Sequence, residues 1–345
     1  MASDRPVAPD VRQLKQAIDA NDLEGVVAAM TRNPRLHSAP LGYGNNGPLT
    51  WVAECRVPWA PPSPARLAIA AWMIDHGSDV HQGGDGPLMR AALRDDRLPM
   101  MELLVSRGAD VNARWNGDFP ILFAPCESLQ PRALAWLLDR GADPNAGGRS
   151  QTALDYAIGT YARSPTLAEC IDVLAAAGGT TRYGVPAVLH VLRGDVPGLA
   201  ADLDADPSLV QRTFPELDVG ATAGRGLTLA GATLLHVAAE YGAVDAARLL
   251  VTRGADVDAR AAIDASGVGG QTAIFHAVTQ WNDYGLEVAR LLIDSGADLS
   301  IRATLPGHYE RPGEAIETTP LDYAMRFPGE GTETATIALL RTANR

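Results

Sequence analysis

One phrase recurs through this chain. Recurrence at a near-fixed period constrains the fold more than any local propensity does, because each copy must pack on the next. The phrase is an aliphatic pair, two or three variable residues, then Gly-Ala-Asp and an apolar residue. It stands as Leu103-Leu104 to Gly108-Ala109-Asp110-Val111-Asn112 and as Leu137-Leu138 to Gly141-Ala142-Asp143-Pro144-Asn145. It returns as Leu249-Leu250 to Gly254-Ala255-Asp256-Val257-Asp258 and as Leu291-Leu292 to Gly296-Ala297-Asp298-Leu299. Weaker copies are Met73-Ile74 to Gly77-Ser78-Asp79-Val80 and Val173-Leu174 to Gly178-Gly179-Thr180. Gly77, Gly108 and Gly141 are 31 and 33 residues apart.

A second phrase lies between these copies. It reads Thr319-Pro320-Leu321-Asp322-Tyr323-Ala324, Thr152-Ala153-Leu154-Asp155-Tyr156-Ala157 and Thr233-Leu234-Leu235-His236-Val237-Ala238, with degenerate copies beginning at Gly47, Gly86, Phe119 and Thr272. The pair of phrases resembles the ankyrin repeat family, whose unit carries T-P-L-H-x-A and a terminal G-A-D-V-N. The resemblance covers residues 11–342. It implies an all-α ankyrin-repeat solenoid with β-hairpin or loop fingers.

The residue chemistry points the same way. Threonine caps a short helix by accepting a backbone N–H, and proline suits its first turn. Glycine ends the second helix in a left-handed conformation, and Asp or Asn bonds the turn that follows. Nine helix pairs are expected, near 11–31, 48–76, 86–107, 119–140, 151–177, 185–204, 232–253, 271–295 and 318–342. The sixth aligns with the first without gaps, Asn21 to Leu36 against Gly194 to Leu209. Hence the expectation of two arrays, 1–180 with five pairs and 181–345 with four.

Surplus length marks where function is to be sought, since long structureless loops are uncommon unless functional or disordered. Insertions separate paired helices at 56–64 and 161–166, and long fingers follow at 37–47, 210–231, 259–270 and 302–318. Three of these four fingers belong to the second array. They are either tolerated surface insertions or a cover over its groove.

Positions just after the second phrase are expected on the concave face. They are Glu54, Arg94, Glu127, Thr160, Glu240, Tyr241, Thr279, Gln280, Trp281 and Arg326, joined by Trp115, Tyr309 and Arg311 in the fingers. An ordinary solvated face is the plainer alternative. Trp51, Trp72 and Trp136 sit at apolar helix positions and are expected in the core. His236 holds the family's histidine position, for which the expected role is a backbone bond between repeats. Were the second array to hold an enzyme site, Glu240, Tyr241, His276 and His308 are its acid–base candidates. His308 neighbours Tyr309, Glu310 and Arg311, a group suited to an anion or a proton shuttle, or simply a solvated loop tip.

The 41 acidic and 29 basic residues give a net charge of −12, which disfavours a nucleic-acid surface and favours a neutral or basic partner segment. Cys55, Cys126 and Cys170 are odd in number and form no CxxC, so neither a disulfide framework nor a metal site is expected. The opening residues lack an apolar h-region and no stretch reaches membrane-span length, so a cytoplasmic setting is expected. No cofactor motif stands in the sequence. The expected function is a non-enzymatic scaffold holding a protein partner in its groove and fingers. The alternative is a lidded small-molecule pocket, or an enzyme site, in the second array.

Overall fold

In the computed structural model the helices fall into pairs wherever the two phrases recur. It describes residues 9–41, 46–83, 86–115, 118–148, 151–160, 163–217, 227–307, 313–327 and 333–344. The pairs are α1 (Pro9–Asp19) with α2 (Leu23–Arg32), α3 (Pro48–Glu54) with α4 (Pro64–Asp75), and α5 (Gly86–Ala92) with α6 (Leu98–Ser106). Next come α7 (Phe123–Glu127) with α8 (Pro131–Leu138), α9 (Ala153–Gly159) with α10 (Leu167–Ala176), and α11 (Pro186–Arg193) with α12 (Val196–Ala205). The last three are α13 (Leu234–Glu240) with α14 (Val244–Thr252), α15 (Ala273–Ala277) with α16 (Leu286–Asp294), and α17 (Pro320–Ala324) with α18 (Ala335–Ala343). Nine pairs thus stand among the described residues, as the repeat arithmetic expects.

The chain divides into two compact units, Met1–Tyr156 with Val173–Thr180, and Ala157–Asp172 with Thr181–Arg345. Within the first, α3 packs on α5 and α5 on α7, while α2 packs on α4 and α4 on α6. Within the second, α11, α13, α15 and α17 stack in order, as do α12, α14, α16 and α18. Within each unit first helices therefore form one layer and second helices the other, with one residue of each aliphatic pair buried and its neighbour half-buried. Leu104 in the first unit and Leu250 and Leu292 in the second are fully buried.

Caps explain where the helices begin. Asp22 accepts from the Gly25 N–H at 2.9 Å and Asp195 from the Gly198 N–H at 3.0 Å. Each helix so capped is followed by a 3-10 turn after an Asn-Pro or Asp-Pro step. The aligned segments thus fold alike. Thr319 caps α17 by accepting from the Asp322 N–H at 3.2 Å.

Turns join neighbouring repeats. Asn112 donates to the Gly141 carbonyl and accepts from the Asp143 N–H, both at 2.9 Å. Asn145 repeats the pattern one unit on, to the Gly178 carbonyl and from the Thr180 N–H, again at 2.9 Å. Where the sixth repeat lacks the Gly-Ala-Asp ending, Gln211 takes the role and donates to the Gly254 carbonyl at 2.7 Å. Gly254 has φ +87° and nothing lies within 4 Å of where a Cβ would stand. Its requirement is therefore conformational and not steric. Gly254→Ala is expected to lose about 1 kcal/mol of stability, to be read by urea titration; an unchanged midpoint would show that the turn relaxes.

Among the described residues two fingers carry strands. β1 (Arg114–Trp115) pairs antiparallel with β2 (Phe119–Pro120), and β3 (Ala303–Pro306) with β4 (Ala315–Thr318), the latter in the register Ala303↔Thr318 to Pro306↔Ala315. The tip of the last finger, with His308, Tyr309 and Arg311, lies outside the described residues.

Candidate functional site

The positions expected on one concave face divide sharply by exposure. In the first unit Glu54 is buried, with only 5% of its surface exposed. Arg94 is half-buried and gripped by Asp96, its Nε lying 3.0 Å and 3.2 Å from the two carboxylate oxygens. Its guanidinium sits 5.2 Å from the Trp59 ring, in the 56–64 insertion, so an exposed indole already holds it. Trp115 meets Phe119 edge-on at 6.3 Å, and half-buried Glu127 accepts from the Tyr156 hydroxyl at 3.1 Å. Trp51 is buried as expected, its indole N–H donating to Asp19 at 2.7 Å. Trp72 and Trp136 are not: each is half-exposed, stacked on His76 at 4.3 Å and under Arg140 at 3.7 Å. Both flank the outer side of a second helix, where an apolar ring needs only one covered face.

In the second unit the structure draws Glu240, His276 and Gln280 together, but inside the protein. Glu240 and His276 are fully buried and Tyr241 is 6% exposed. Glu240 and Tyr241 are therefore removed from the concave surface expected for them, and His276, an acid–base candidate, is interior as well. His276 Nδ1 lies 2.7 Å from Glu240 Oε2. The other carboxylate oxygen is held by Arg163, whose Nη2 is at 2.9 Å and Nε at 3.3 Å. The Arg163 guanidinium covers the Tyr241 ring at 4.3 Å, and the Tyr241 hydroxyl donates to the Ile158 carbonyl at 2.6 Å. Gln280 donates to the carbonyls of Glu240 and His276, both at 2.9 Å. Arg163 was no candidate from sequence; its only signal was the 161–166 insertion that carries it.

Beside this cluster His236 plays the family's structural part. Its Nε2 lies 3.1 Å from the Gln271 carbonyl, and its Nδ1 is 2.9 Å from the Thr233 hydroxyl and 3.3 Å from the Thr233 N–H. A carbonyl only accepts, so Nε2 carries the proton and Nδ1 the lone pair. Complete burial, with repulsion from His276, lowers its pKa to about 3. His236 is therefore neutral at pH 7.

Trp281 is different. It is 65% exposed and walls a cavity of about 270 Å³ with Thr279, Gln280, Phe327 and Thr334. The turn that presents it is fixed. Asn282 and Asp283 have φ +53° and +54°, in the left-handed region. Asp283 caps α18, accepting from the Ala335 and Thr336 N–H groups at 3.0 Å and from the Thr336 hydroxyl at 2.6 Å. Burial pushes the Asp283 carboxyl up, but these hydrogen bonds outweigh it and hold the pKa below its ordinary value. Arg326 is exposed, 3.8 Å from Glu314.

Helix pairs in two layers, joined by hydrogen-bonded turns and hairpin fingers, define a repeat protein whose side-chain chemistry is spent mainly on packing. Family models name it: one for three copies of the ankyrin repeat matches residues 199–303, and one for a single ankyrin repeat matches residues 83–116. The chain carries ankyrin repeats in both of its units. No curated protein matches it. Among solved structures, the crystal structure of the human ASB11 ankyrin repeat domain is similar at 24% identity, over 74% of this chain and 97% of that one, with a TM-score of 0.37. Among the described residues no group of three or more His, Cys, Asp or Glu side chains is placed to hold a metal ion, and no helix is long and apolar enough to cross a membrane.

Proposed function

We propose that this chain holds a protein partner through the ridge of its second array, 181–345, with Trp281 as the anchor. Ankyrin repeats serve in general as protein-interaction scaffolds, and the observation that carries the finer reading is Trp281 itself. Large aromatics are costly to leave in water, and they dominate binding energy where they stand beside a pocket a partner can fill. Here the indole is held out by a capped turn at the edge of the 270 Å³ cavity. Gln280 and Thr334, which line the same cavity, supply polar groups beside it. The partner surface is neutral or basic, since the chain carries −12. The setting is the cytosol, which suits three buried cysteines outside any disulfide.

Trp281→Ala is expected to weaken partner capture by about 2 kcal/mol, roughly thirtyfold, while leaving the thermal midpoint unchanged, because the side chain is mostly in solvent. The measurement is a pull-down of the full chain from its native extract, quantified by mass spectrometry. Equal recovery by both proteins would sink the Trp281 surface. Tyr241→Ala is unsuited to the same test: it removes a buried ring and its bond to Ile158, so it reports stability and not binding.

A further inference from the structure

Each unit holds one indole in solvent on a pinned loop, and the two surroundings are unlike. Trp59, in the 56–64 insertion of the first unit, is 54% exposed, and Val57 beside it is 40% exposed. Buried Arg66 fixes this insertion, its Nη2 donating to the Val57 carbonyl at 2.5 Å and its Nε to Asn21 Oδ1 at 2.6 Å. The Trp59 ring lies 4.8 Å from the Arg97 guanidinium and 5.2 Å from that of Arg94. Trp59 is thus a knob backed by cations. Trp281, in the second unit, instead walls a hole. The cavity of about 270 Å³ that it shares with Val278, Ala324 and Phe327 is lined by no charged side chain among the described residues. That volume suits one large side chain and falls below the range of about 300–1,000 Å³ typical of small-molecule pockets.

The charges beside the two indoles are opposite. Arg97 donates through Nη1 to the Arg90 carbonyl at 2.9 Å, while its Nε and Nη2 have no hydrogen-bond partner, so no carboxylate grips it. Asp283, two residues after Trp281, takes its hydrogen bonds from the neutral donors that open α18, and these keep it ionised. The units differ in the same sense: the first carries 18 acidic and 15 basic residues, the second 23 and 14. We propose that the occupant of the Trp281 cavity is the Trp59 insertion of a second copy of this chain, with the charges of Arg97 and Arg94 brought toward Asp283. The inference rests on the Trp281 reading and names its partner. Both indoles are exposed in one and the same chain, so neither is covered by the other within it. An uncharged cavity accepts an aromatic ring and rejects an ammonium or carboxylate, which would be buried unpaired. Opposite charges at the rim set approach and register. Both loops are fixed before contact, which lowers the ordering cost of association. The contact joins two different surfaces, so each copy has a knob to give and a hole to receive one.

The test is sedimentation of the full chain from about 1 µM to about 1 mM, the range in which small contacts associate. The parent is expected to gain mass with concentration. Trp59→Ala and Trp281→Ala are each expected to weaken this association roughly thirtyfold. Val57→Glu, at an exposed position of the same insertion, is a second knob variant that leaves the indole over Arg97, and it should weaken association as well. Ile263→Ala, at an exposed apolar position elsewhere, should leave it unchanged. The decisive arm mixes Trp59→Ala with Trp281→Ala at a concentration where neither associates alone. The first keeps the hole and the second keeps the knob, so pairs should form with parental affinity. A parent that stays monomeric, association that survives either tryptophan substitution, an equal loss in Ile263→Ala, or a mixture that stays monomeric overturns the proposal. A monomeric parent whose capture of another protein is still lost in Trp281→Ala overturns the second copy as partner and leaves the Trp281 surface standing. A monomeric parent with capture unchanged in Trp281→Ala overturns both.

Discussion

Replacing Arg163 with alanine is expected to cost the second unit about 3–5 kcal/mol, the loss typical of removing one partner from a buried ion pair. The Glu240 carboxylate is entirely out of water, with Arg163 on one oxygen at 2.9 Å and His276 on the other at 2.7 Å. Without the guanidinium, the buried carboxylate loses the cation at 2.9 Å, and the Tyr241 ring loses the cation that covers it at 4.3 Å. Removing both charges together should be far milder. Arg163→Met with Glu240→Gln leaves an amide oxygen for His276 and an apolar chain over Tyr241, so most of the loss should be recovered. A chain with two compact units need not unfold in one step. Hydrogen exchange of the α13 and α15 amides is therefore the direct reading. A loss below about 1 kcal/mol in Arg163→Ala would mean that the pair is solvated and contributes as a surface bridge does.

This pair also marks how far the sequence can be read. The helix pairs, their order and their boundaries were legible because the two phrases carry caps and stops: Thr319 caps α17, and Gly254 ends α14 with φ +87°. The role of His236 was legible because it stands at a fixed place in a repeated phrase. Glu240, Tyr241 and His276 were legible as special but not as interior. Facing direction at the end of a five- or seven-residue helix depends on where the chain turns next, and Glu240 meets its cation 77 residues away. That contact rides on an insertion with no motif of its own. The exposed Trp281 was legible as an anomaly on its ridge. What holds it there, Asp283 capping α18 from 53 residues away, was not. Local chemistry repeats along the chain and declares itself. The departures from the repeat find their partners only through the stacking.

Acidification from pH 7.5 to 5 is expected to cost the second unit about 2 kcal/mol through His236 alone. A folded-state pKa of about 3 means that the unfolded chain takes up the proton first, at the ordinary histidine value near 6.5. The neutral ring's contribution is therefore complete above pH 6.5. It falls by about 1.4 kcal/mol per pH unit below that, and is exhausted near pH 3. The physical origin is local: protonation would place a charge in a site with no water, beside His276 at a ring separation of 5.8 Å, and would take the Nδ1 lone pair from Thr233. His236→Gln removes the titration. Its stability at pH 7.5 should fall, through lost bonds to Thr233 and Gln271, but its decline between pH 6.5 and 5 should be shallower than that of the parent by about 2 kcal/mol. His276 is present in both proteins, so the difference between the two curves isolates His236. Carboxylates such as Asp283, held below their ordinary range by hydrogen bonds, lose their contribution only at lower pH. Urea titrations at four pH values measure the two slopes. Parallel curves would show that water reaches the ring, and that the buried histidine at this repeat position is a packing residue with no electrostatic consequence.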